Sequence, residues 1–241
     1  MDNIERLKEA IKDAKKIVIF SGAGLSTNSG IPDFRSANGI YNAKLKSQFT
    51  PEEIISHSFF FAHTEDFYEF YFDKMVYKDA KPNSAHLYFA ELEKTKDVTV
   101  VTQNIDGLHQ LAGSKNVIEL HGSIMRNYCQ KCGKFYTLDE IGTKGVPHCT
   151  CGGVIKPDVV LYEEQLNEQD INKALEAIST CDMMIVVGTS LVVYPAAGFV
   201  RYFRGKNLVL LNKSETSYDS IADIVIHDDV CNVVKELKSL E

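Results

Sequence analysis

Two kinds of hydrophobic pattern alternate along this chain. Short apolar or β-branched runs, typical of buried strands, occur at residues 17–20, 98–102, 117–120, 157–162, 183–187, 208–211 and 222–226. Between these runs apolar residues recur at helical spacing, which predicts helices over residues 3–14, 167–179 and 232–240 and another that starts near residue 84. Strands that alternate with helices predict a doubly wound parallel sheet of the Rossmann-like α/β class.

Residues 36–80 depart from this alternation. Residues 36–48 are polar and loop-like, whereas Thr50, Pro51 and Glu53 form a helix start, with Thr50 as the cap and Glu53 completing a capping box. Aromatic residues then crowd the segment up to residue 77. Most of these rings are expected in a helix core, although some could line an apolar channel. In the helix that starts near residue 84, the inward residues are predicted to be Leu87, Phe89 or Ala90, and Leu92.

The first strand ends in a glycine-rich turn, Ser21-Gly22-Ala23-Gly24. Glycine has no Cβ, so it permits tight turns and close ligand approach, and a helix after such a turn directs its first N–H groups at the gap, which favours phosphate. Gly22 and Gly24 match part of the dinucleotide fingerprint G-x-G-x-x-G, but Thr27 occupies its third glycine position. These residues alone support a nucleotide site and a plain turn about equally.

The next segment favours the nucleotide site. Gly30-Ile31-Pro32-Asp33-Phe34-Arg35 places a cation and an aromatic ring in one loop. A guanidinium binds phosphate and an aromatic side chain covers a ring, and a simple turn needs neither.

Polar residues also follow later strands, at the strand ends where open α/β sheets bind ligands. They are Gln103, Asn104 and Asp106, then His121 beside Gly122, and then Gly188, Thr189 and Ser190. An Asn/Asp turn completed by Gly107 would also account for the first group. A lone histidine is more often structural, but the position of His121 at a strand end favours a general base.

Four of the six cysteines form two close pairs, Cys129 with Cys132 and Cys149 with Cys151. This spacing predicts a structural zinc ion held by four thiolates with no open position for water. Free thiols and a redox pair are the alternatives, and His148 is a possible substitute ligand. Cys181 and Cys231 are expected to be buried thiols of the main sheet.

Composition narrows the class of protein. The 241 residues are 44% hydrophobic and 24% charged, as in a globular protein with a sizeable core. The net charge of −7 argues against nucleic-acid binding through bulk charge and is compatible with a lysine-rich partner. No apolar run approaches the ~20 residues of a membrane helix, and the amphipathic N-terminus does not resemble a signal peptide. Clustered cysteines favour a reducing compartment, so a cytoplasmic location is expected.

These motifs together resemble those of the sirtuins, the NAD-dependent protein lysine deacylases, and the chain is most similar to a short member of the bacterial type. The resemblance extends over about residues 15–232 in the order of the family. Its motifs are Gly-Ala-Gly-x-Ser at 22–26, Gly-Ile-Pro-Asp-Phe-Arg at 30–35, Thr-Gln-Asn-Ile-Asp at 102–106, His-Gly at 121–122, the cysteine pairs, Gly-Thr-Ser at 188–190 and Leu-Asn at 211–212.

The resemblance implies roles for individual residues. Contacts with NAD are expected from Gly22, Ala23, Thr27, Asp33, Phe34, Arg35, Gln103, Gly188, Thr189, Ser190 and Asn212, and from the backbone at Cys231. Asn104, Ile105 and Asp106 are expected at the nicotinamide end, and the catalytic set is His121, the base, with Asn104 and Asp106. The acetyl-lysine protein or peptide is expected to pair with Val159, Val160, Leu161 and Tyr162.

The resemblance also implies a division of the chain and a reaction. The division is a Rossmann-like NAD-binding domain of residues 1–35, 81–125 and 156–241, a helical insert with a flexible cofactor loop at 36–80, and a zinc-binding module at 126–155. The reaction yields free lysine, nicotinamide and O-acyl-ADP-ribose, with Zn²⁺ taking no part. A mono-ADP-ribosyltransferase would use the same motifs, and a non-enzymatic NAD or ADP-ribose sensor is a third reading that an intact base disfavours.

The sequence departs from the family at one position near the peptide. Many sirtuins have Gly-Glu after the peptide-pairing strand, whereas this chain has Glu163-Glu164. This departure leaves the details of peptide choice open.

An apolar acyl pocket is predicted, because residues 58–80 contain no arginine and Tyr68-Glu69-Phe70-Tyr71 replaces the Tyr-x-x-Arg of succinyl-preferring and malonyl-preferring sirtuins. Acetyl-lysine or longer neutral acyl chains should therefore react faster than succinyl-lysine. Turnover of matched peptides that differ only in the acyl group measures this preference. Faster turnover of the succinyl peptide would contradict the prediction.

Overall fold

The fold centres on a six-stranded sheet, seen in a computed structural model that describes residues 2–42 and 48–240. Its strands are β1 (Lys16–Ser21), β2 (Asp97–Thr102), β3 (Val117–Glu119), β7 (Met183–Val187), β8 (Asn207–Leu211) and β9 (Ile224–Ile226). All neighbouring strands are parallel, in the order β3-β2-β1-β7-β8-β9. The predicted doubly wound parallel sheet is therefore confirmed.

Helices cover both faces of this sheet. The described α-helices are α1 (Asn3–Asp13), α2 (Pro51–Ile54), α3 (His57–Ala62), α4 (Thr64–Lys74), α5 (Ser84–Leu92), α6 (Leu108–Ala112), α7 (Leu138–Ile141), α8 (Glu168–Thr180) and α9 (Val230–Ser239). Ile17 and Ile19 of β1 join a core with α1, α5 and α9, whereas Val18 and Phe20 join a core with α8 on the other face. Residues 17–20 are fully buried because both faces of a parallel sheet are covered.

A second, antiparallel sheet carries the cysteine pairs. Its strands are β4 (Gly122–Cys129), β5 (Phe135–Thr137) and β6 (Ile155–Val159), in the order β5-β4-β6. The expectation that residues 157–162 return to the main sheet is wrong, because β6 pairs with β4. An apolar run specifies a buried strand but not its partner.

The helical insert and this small sheet share one hydrophobic core. Phe60 and Tyr68 from the insert pack in the same cluster as Ile124, Ile155 and Val159. Strands β4 and β6 also run across the proposed boundaries at 125/126 and 155/156. The three-part division of the chain remains a prediction.

Local signals for helix ends were reliable. The capping box at α2 is present, with the Glu53 N–H donating to Thr50 Oγ1 at 3.2 Å and the Thr50 N–H donating to the Glu53 carboxylate at 2.7 Å. The last helix starts at Val230 rather than at residue 232, because Asp229 caps it. Of the loop predicted at residues 36–48, residues 43–47 lie outside the described part, and Ile40–Asn42 form a 3₁₀ turn.

The predicted inward face of α5 is confirmed at Phe89, which is buried, and at Leu92, which packs against the core, but it is wrong at Leu87. Leu87 is exposed, and the buried residues are Ala85, His86, Tyr88 and Phe89. Helix α5 packs against both α6 and α9, so its buried face is turned toward these neighbours.

A membrane-spanning helix would need a long, uninterrupted apolar stretch. Among residues 2–42 and 48–240, none of the helices has such a stretch.

Two buried histidines pack together beneath the end of β1. The rings of His86 and His109 lie 5.0 Å apart, and His109 Nε2 lies 2.9 Å from Ser21 Oγ. Burial lowers the pKa of His86 to about 4 and that of His109 to about 3. Both side chains are therefore neutral in the folded protein at neutral pH.

We expect this pair to make the fold acid-sensitive. Below pH 6.5 the unfolded chain binds protons that the folded chain does not bind, so the free energy of unfolding decreases by up to about 1.4 kcal/mol per pH unit for each histidine, down to the folded pKa. His86→Gln preserves a residue suited to the capping position while removing one titrating group. The free energy of unfolding, measured by urea denaturation between pH 4.5 and 7, should depend less steeply on pH in this variant than in the unaltered protein. The same dependence on pH in both proteins would contradict the prediction.

Candidate active site

A large cleft lies at the carboxyl ends of β1, β2, β7 and β8, with a volume of about 1300 Å³. The antiparallel sheet and the helical insert form its other side. This is where an open parallel sheet places a ligand site. The cleft is lined by these residues predicted from sequence: Gly22, Ala23, Thr27, Asp33, Phe34, Arg35, Gln103, Asn104, Ile105, Asp106, His121, Val159, Val160, Leu161, Tyr162, Gly188, Thr189, Ser190 and Asn212.

The two glycine-rich turns, at residues 22–27 and 188–190, interlock. A Cβ on Gly24 would lie 2.9 Å from Gly188 Cα, and one on Gly188, whose φ is +60°, would lie 2.2 Å from the Leu25 nitrogen. The Gly24 N–H also donates to the Gly188 carbonyl at 2.8 Å. The glycines are thus required by the contact between the turns, which brings Ser190 and Ala23 into one cleft. The helix after the first turn is a 3₁₀ helix (Ala23–Ser29) with Gly22 as its cap.

A hydrogen-bonded chain joins the first turn to the end of β2. The buried Asn104 side-chain amide donates to the Gly22 carbonyl at 3.1 Å and to Ser26 Oγ at 3.2 Å. Ser26 in turn donates to Asp106 Oδ2 at 2.6 Å, while Asp106 Oδ1 accepts from the Leu108 N–H at 2.9 Å. Burial raises the pKa of Asp106. The Asn/Asp turn foreseen as an alternative is present, and the same residues line the cleft.

The His121 imidazole is held in one orientation by the backbone. Its Nδ1 lies 2.9 Å from the Gln103 carbonyl, which can only accept, so Nδ1 carries the proton and Nε2 is free to take one. Burial lowers the pKa of His121, against the opposing effect of this hydrogen bond. Among the described residues, no hydrogen-bond partner reaches Nε2.

Gly122, the residue after His121, brings the second side of the cleft close to this histidine. Gly122 has a φ of +74°, and a Cβ there would lie 1.8 Å from the Asp158 carbonyl oxygen. Strands β4 and β6 therefore approach each other directly beside His121. The Val160 N–H donates to the His121 carbonyl at 3.0 Å, so one backbone hydrogen bond joins His121 to residues 159–162.

The loop of residues 30–42 contributes much of the cleft lining. The Phe34 and Tyr41 rings lie 5.4 Å apart, and the Arg35 guanidinium lies 5.2 Å from the centre of the Tyr41 ring. The Tyr41 and Tyr162 hydroxyls are 2.7 Å apart, so this loop contacts the opposite wall.

The four paired cysteines form one cluster outside the cleft. Their Sγ atoms lie within 4.8 Å of one another, at 3.5 Å between Cys129 and Cys151 and 3.6 Å between Cys132 and Cys149. A tetrahedral zinc ion with Zn–S distances of about 2.3 Å separates its sulfurs by roughly 3.8 Å. The cluster fits such an ion, and four thiolates complete its coordination. His148 bonds the Val146 carbonyl instead.

Comparison with known proteins gives the family. The Sir2 family model matches residues 22–195. The NAD-dependent protein deacetylase of Clostridium perfringens is 59% identical over 239 residues, 97% of each chain, and that of Clostridium acetobutylicum is 55% identical over 98% of each. This chain belongs to the Sir2 family.

Solved Sir2 structures agree with the fold. A Sir2 complex with a p53 peptide and NAD⁺ superimposes with a TM-score of 0.87 at 38% identity, covering 100% of this chain and 98% of that one. A Sir2 variant with deacetylated p53 peptide and 3′-O-acetyl-ADP-ribose gives 0.89 at 38% identity and 98% coverage of both chains. The resemblance seen in the motifs is confirmed at the level of family and fold.

The lining of the cleft in this Sir2 chain differs in part from the predicted set of NAD-contacting and peptide-contacting residues. Cys231 does not line the cleft; it is half-buried in α9, and its neighbour Val230 does. The cleft also includes Ile31, Ile40, Lys74, Met75 and Tyr194. Ile31 lies within a motif, so its position was a usable signal. Lys74 is the last residue of α4 and Met75 caps that helix, and neither belongs to a motif. The Lys74 ammonium lies 2.9 Å from the Asp73 carboxylate. The expected preference for acetyl-lysine over succinyl-lysine remains a prediction.

Gly122→Ala should strongly destabilise the protein, because the added Cβ meets a backbone oxygen at a positive φ. We expect the free energy of unfolding to decrease by at least about 2 kcal/mol, measured by urea denaturation. Gly198→Ala is the matched control, since its Cβ would meet only the Tyr194 ring at 3.5 Å. Equal stability of the two variants would contradict this account of the β4–β6 junction.

Proposed function

We propose that this Sir2-family protein removes acetyl groups from protein lysines in an NAD-dependent reaction. The observation that carries the proposal is the setting of His121. Its Nδ1 is fixed by the Gln103 carbonyl, its Nε2 has no partner among the described residues, and it lies where the two turns and residues 159–162 meet. Relatives at up to 59% identity are named NAD-dependent protein deacetylases, which supports the same reaction here.

The walls of the cleft suit the two ends of NAD. Backbone groups of the interlocked turns, at residues 22–27 and 188–190, and the Arg35 cation are suited to the diphosphate. Asn104, Ile105 and Asp106 would hold the nicotinamide end, where the polar groups of Asn104 and Asp106 are already oriented by Ser26 and Gly22. Asn212 and Lys213 line the cleft at the end of β8, on the side suited to the adenosine.

Residues 159–162 offer backbone groups to an acyl-lysine peptide. Between residues 160 and 163, three backbone groups have no partner among the described residues: the Val160 carbonyl and the N–H and carbonyl of Glu163. An extended peptide adds to such an edge by main-chain hydrogen bonds. The Val160 carbonyl belongs to the residue whose own N–H donates to the His121 carbonyl, so an acyl-lysine bound there would lie near the base.

The chemistry follows from these positions. As the bond between nicotinamide and ribose breaks, the acyl oxygen of the lysine bonds to the ribose carbon, and Phe34 excludes water from that carbon. His121 Nε2 then takes the proton of a ribose hydroxyl, whose oxygen attacks the captured acyl carbon. The lysine amine leaves with a proton, so the acyl carbon then bridges two ribose oxygens. Water adds to that carbon and one of the two bridging bonds breaks, which gives O-acyl-ADP-ribose. Zinc holds the β4–β6 region and supplies no catalytic group.

The cell compartment belongs to this proposal as well. Thiolate ligands of zinc persist where disulfides do not form. The cysteine cluster therefore supports a cytoplasmic location.

His121→Ala should abolish deacetylation, because it removes the group that accepts the ribose proton. We expect loss of at least about 100-fold in kcat with NAD binding retained, measured by mass spectrometry of an acetyl-lysine peptide and by calorimetry. His63→Ala, an exposed histidine outside the cleft, is the control. Consumption of NAD by the unaltered protein with the acetyl group left in place would instead favour ADP-ribosyl transfer.

A further inference from the structure

Glu163 adopts a backbone conformation that glycine favours. Its φ is +73°, and Leu191 is the other non-glycine residue with a positive φ in the described part of the chain. Long side chains avoid this region unless surrounding contacts hold them there. Glu163 also occupies the position where the sirtuin resemblance leads one to expect glycine. The cost of this backbone conformation is therefore expected to be offset by contacts of the Glu163 side chain.

The carboxylate of Glu163 binds the start of α3. One oxygen accepts from the Ser58 N–H at 2.8 Å and the other from Ser58 Oγ at 3.0 Å. The preceding residue is held as well, because the His57 N–H donates to the Tyr162 carbonyl at 2.9 Å and the Tyr162 N–H donates to the Ile55 carbonyl at 3.0 Å. Residues 162–163 thus satisfy two N–H groups of the first turn of α3, which a helix start leaves unpaired.

Glu164 secures the other side of the same segment. Its carboxylate accepts from the Leu161 N–H at 2.9 Å and from Lys156 Nζ at 3.1 Å, and contacts His57 Nδ1 at 2.9 Å. With both carboxylates committed, the segment has two anchors on different elements. The backbone groups of Glu163 itself stay without a partner among the described residues.

We propose that Glu163 is a positioning residue for the protein substrate. Its carboxylate fixes residues 160–163 against α3, so that the Val160 carbonyl and the Glu163 backbone are held ready to pair with the peptide. A glycine at this position would reach the same φ without strain but would carry no anchor to Ser58. The inference rests on the proposed function, since it concerns recognition of the acyl-lysine peptide.

Glu163→Gly tests the anchor without forcing the backbone, because glycine accepts the positive φ. We expect the KM for an acetyl-lysine peptide to rise about tenfold, as when a charge-assisted hydrogen bond is lost, with kcat and the KM for NAD within about twofold of the unaltered protein. Glu163→Gln, which keeps one acceptor oxygen, should recover most of the affinity. Ser58→Ala should raise the peptide KM as well, and the double variant Glu163→Gly/Ser58→Ala should not exceed Glu163→Gly.

Glu69→Gln on the exposed face of α4 is the matched control for loss of a carboxylate. Fluorescence anisotropy of the labelled acetyl peptide, without NAD, gives a second measure that does not need turnover. If the unaltered protein binds the peptide but does not deacetylate it, the proposed function fails while the anisotropy ranking still decides the role of Glu163. An unchanged peptide KM in Glu163→Gly, an equal rise in the KM for NAD, or additive effects of the two substitutions would each overturn the proposal.

Discussion

The contact between the turns that follow β1 and β7 sets the geometry of the whole cleft. Gly24 and Gly188 are so close that neither tolerates a Cβ, and their backbones are joined by a hydrogen bond of 2.8 Å. Because β1 is paired with both β2 and β7, this contact brings the polar residues after three strands to one edge of the sheet. The same glycines would suit a phosphate, but the fold already requires them.

A second constraint places His121 beside residues 159–162. Gly122 lets the chain turn away from the main sheet into β4, which approaches β6 closely. Arg126 of β4 then bridges Glu119 of β3 and Asp158 of β6, at 2.5 and 2.7 Å. These ion pairs join the end of the parallel sheet to the antiparallel sheet. The three charged groups are partly buried, so water screens them less than it screens charges on an open surface. His121 lies between Glu119 and Arg126 in the chain, and it contacts the Gln103 carbonyl after β2 and the Val160 N–H after β6. Its position is therefore determined jointly by both sheets, and the zinc cluster acts on it only through β4 and β6.

Sequence patterns predicted local features well and long-range partners poorly. The β-branched runs gave the strands of the parallel sheet because strands buried on both faces have few other compositions. The Thr50–Glu53 box was visible because a cap is satisfied within one helical turn. The partner of residues 157–162 and the exposure of Leu87 were predicted wrongly, since each depends on elements distant in the chain. Lys74 entered the cleft for the same reason, with no motif to mark it.

The sequence by itself determined the fold class, the family and the four-cysteine cluster, and nearly every NAD-site or peptide-site residue that it predicted lines the cleft. These features depend on local composition and spacing, which can be read along the chain. Only the tertiary structure decided which groups meet. It tied Nδ1 of His121 to Gln103, joined Asn104 to Asp106 through Ser26, and used the Glu163 carboxylate to cap α3. Hydrogen bonds of this kind need distances of about 3 Å between residues far apart in sequence. Such distances are fixed by packing, and no pattern along the chain encodes them directly.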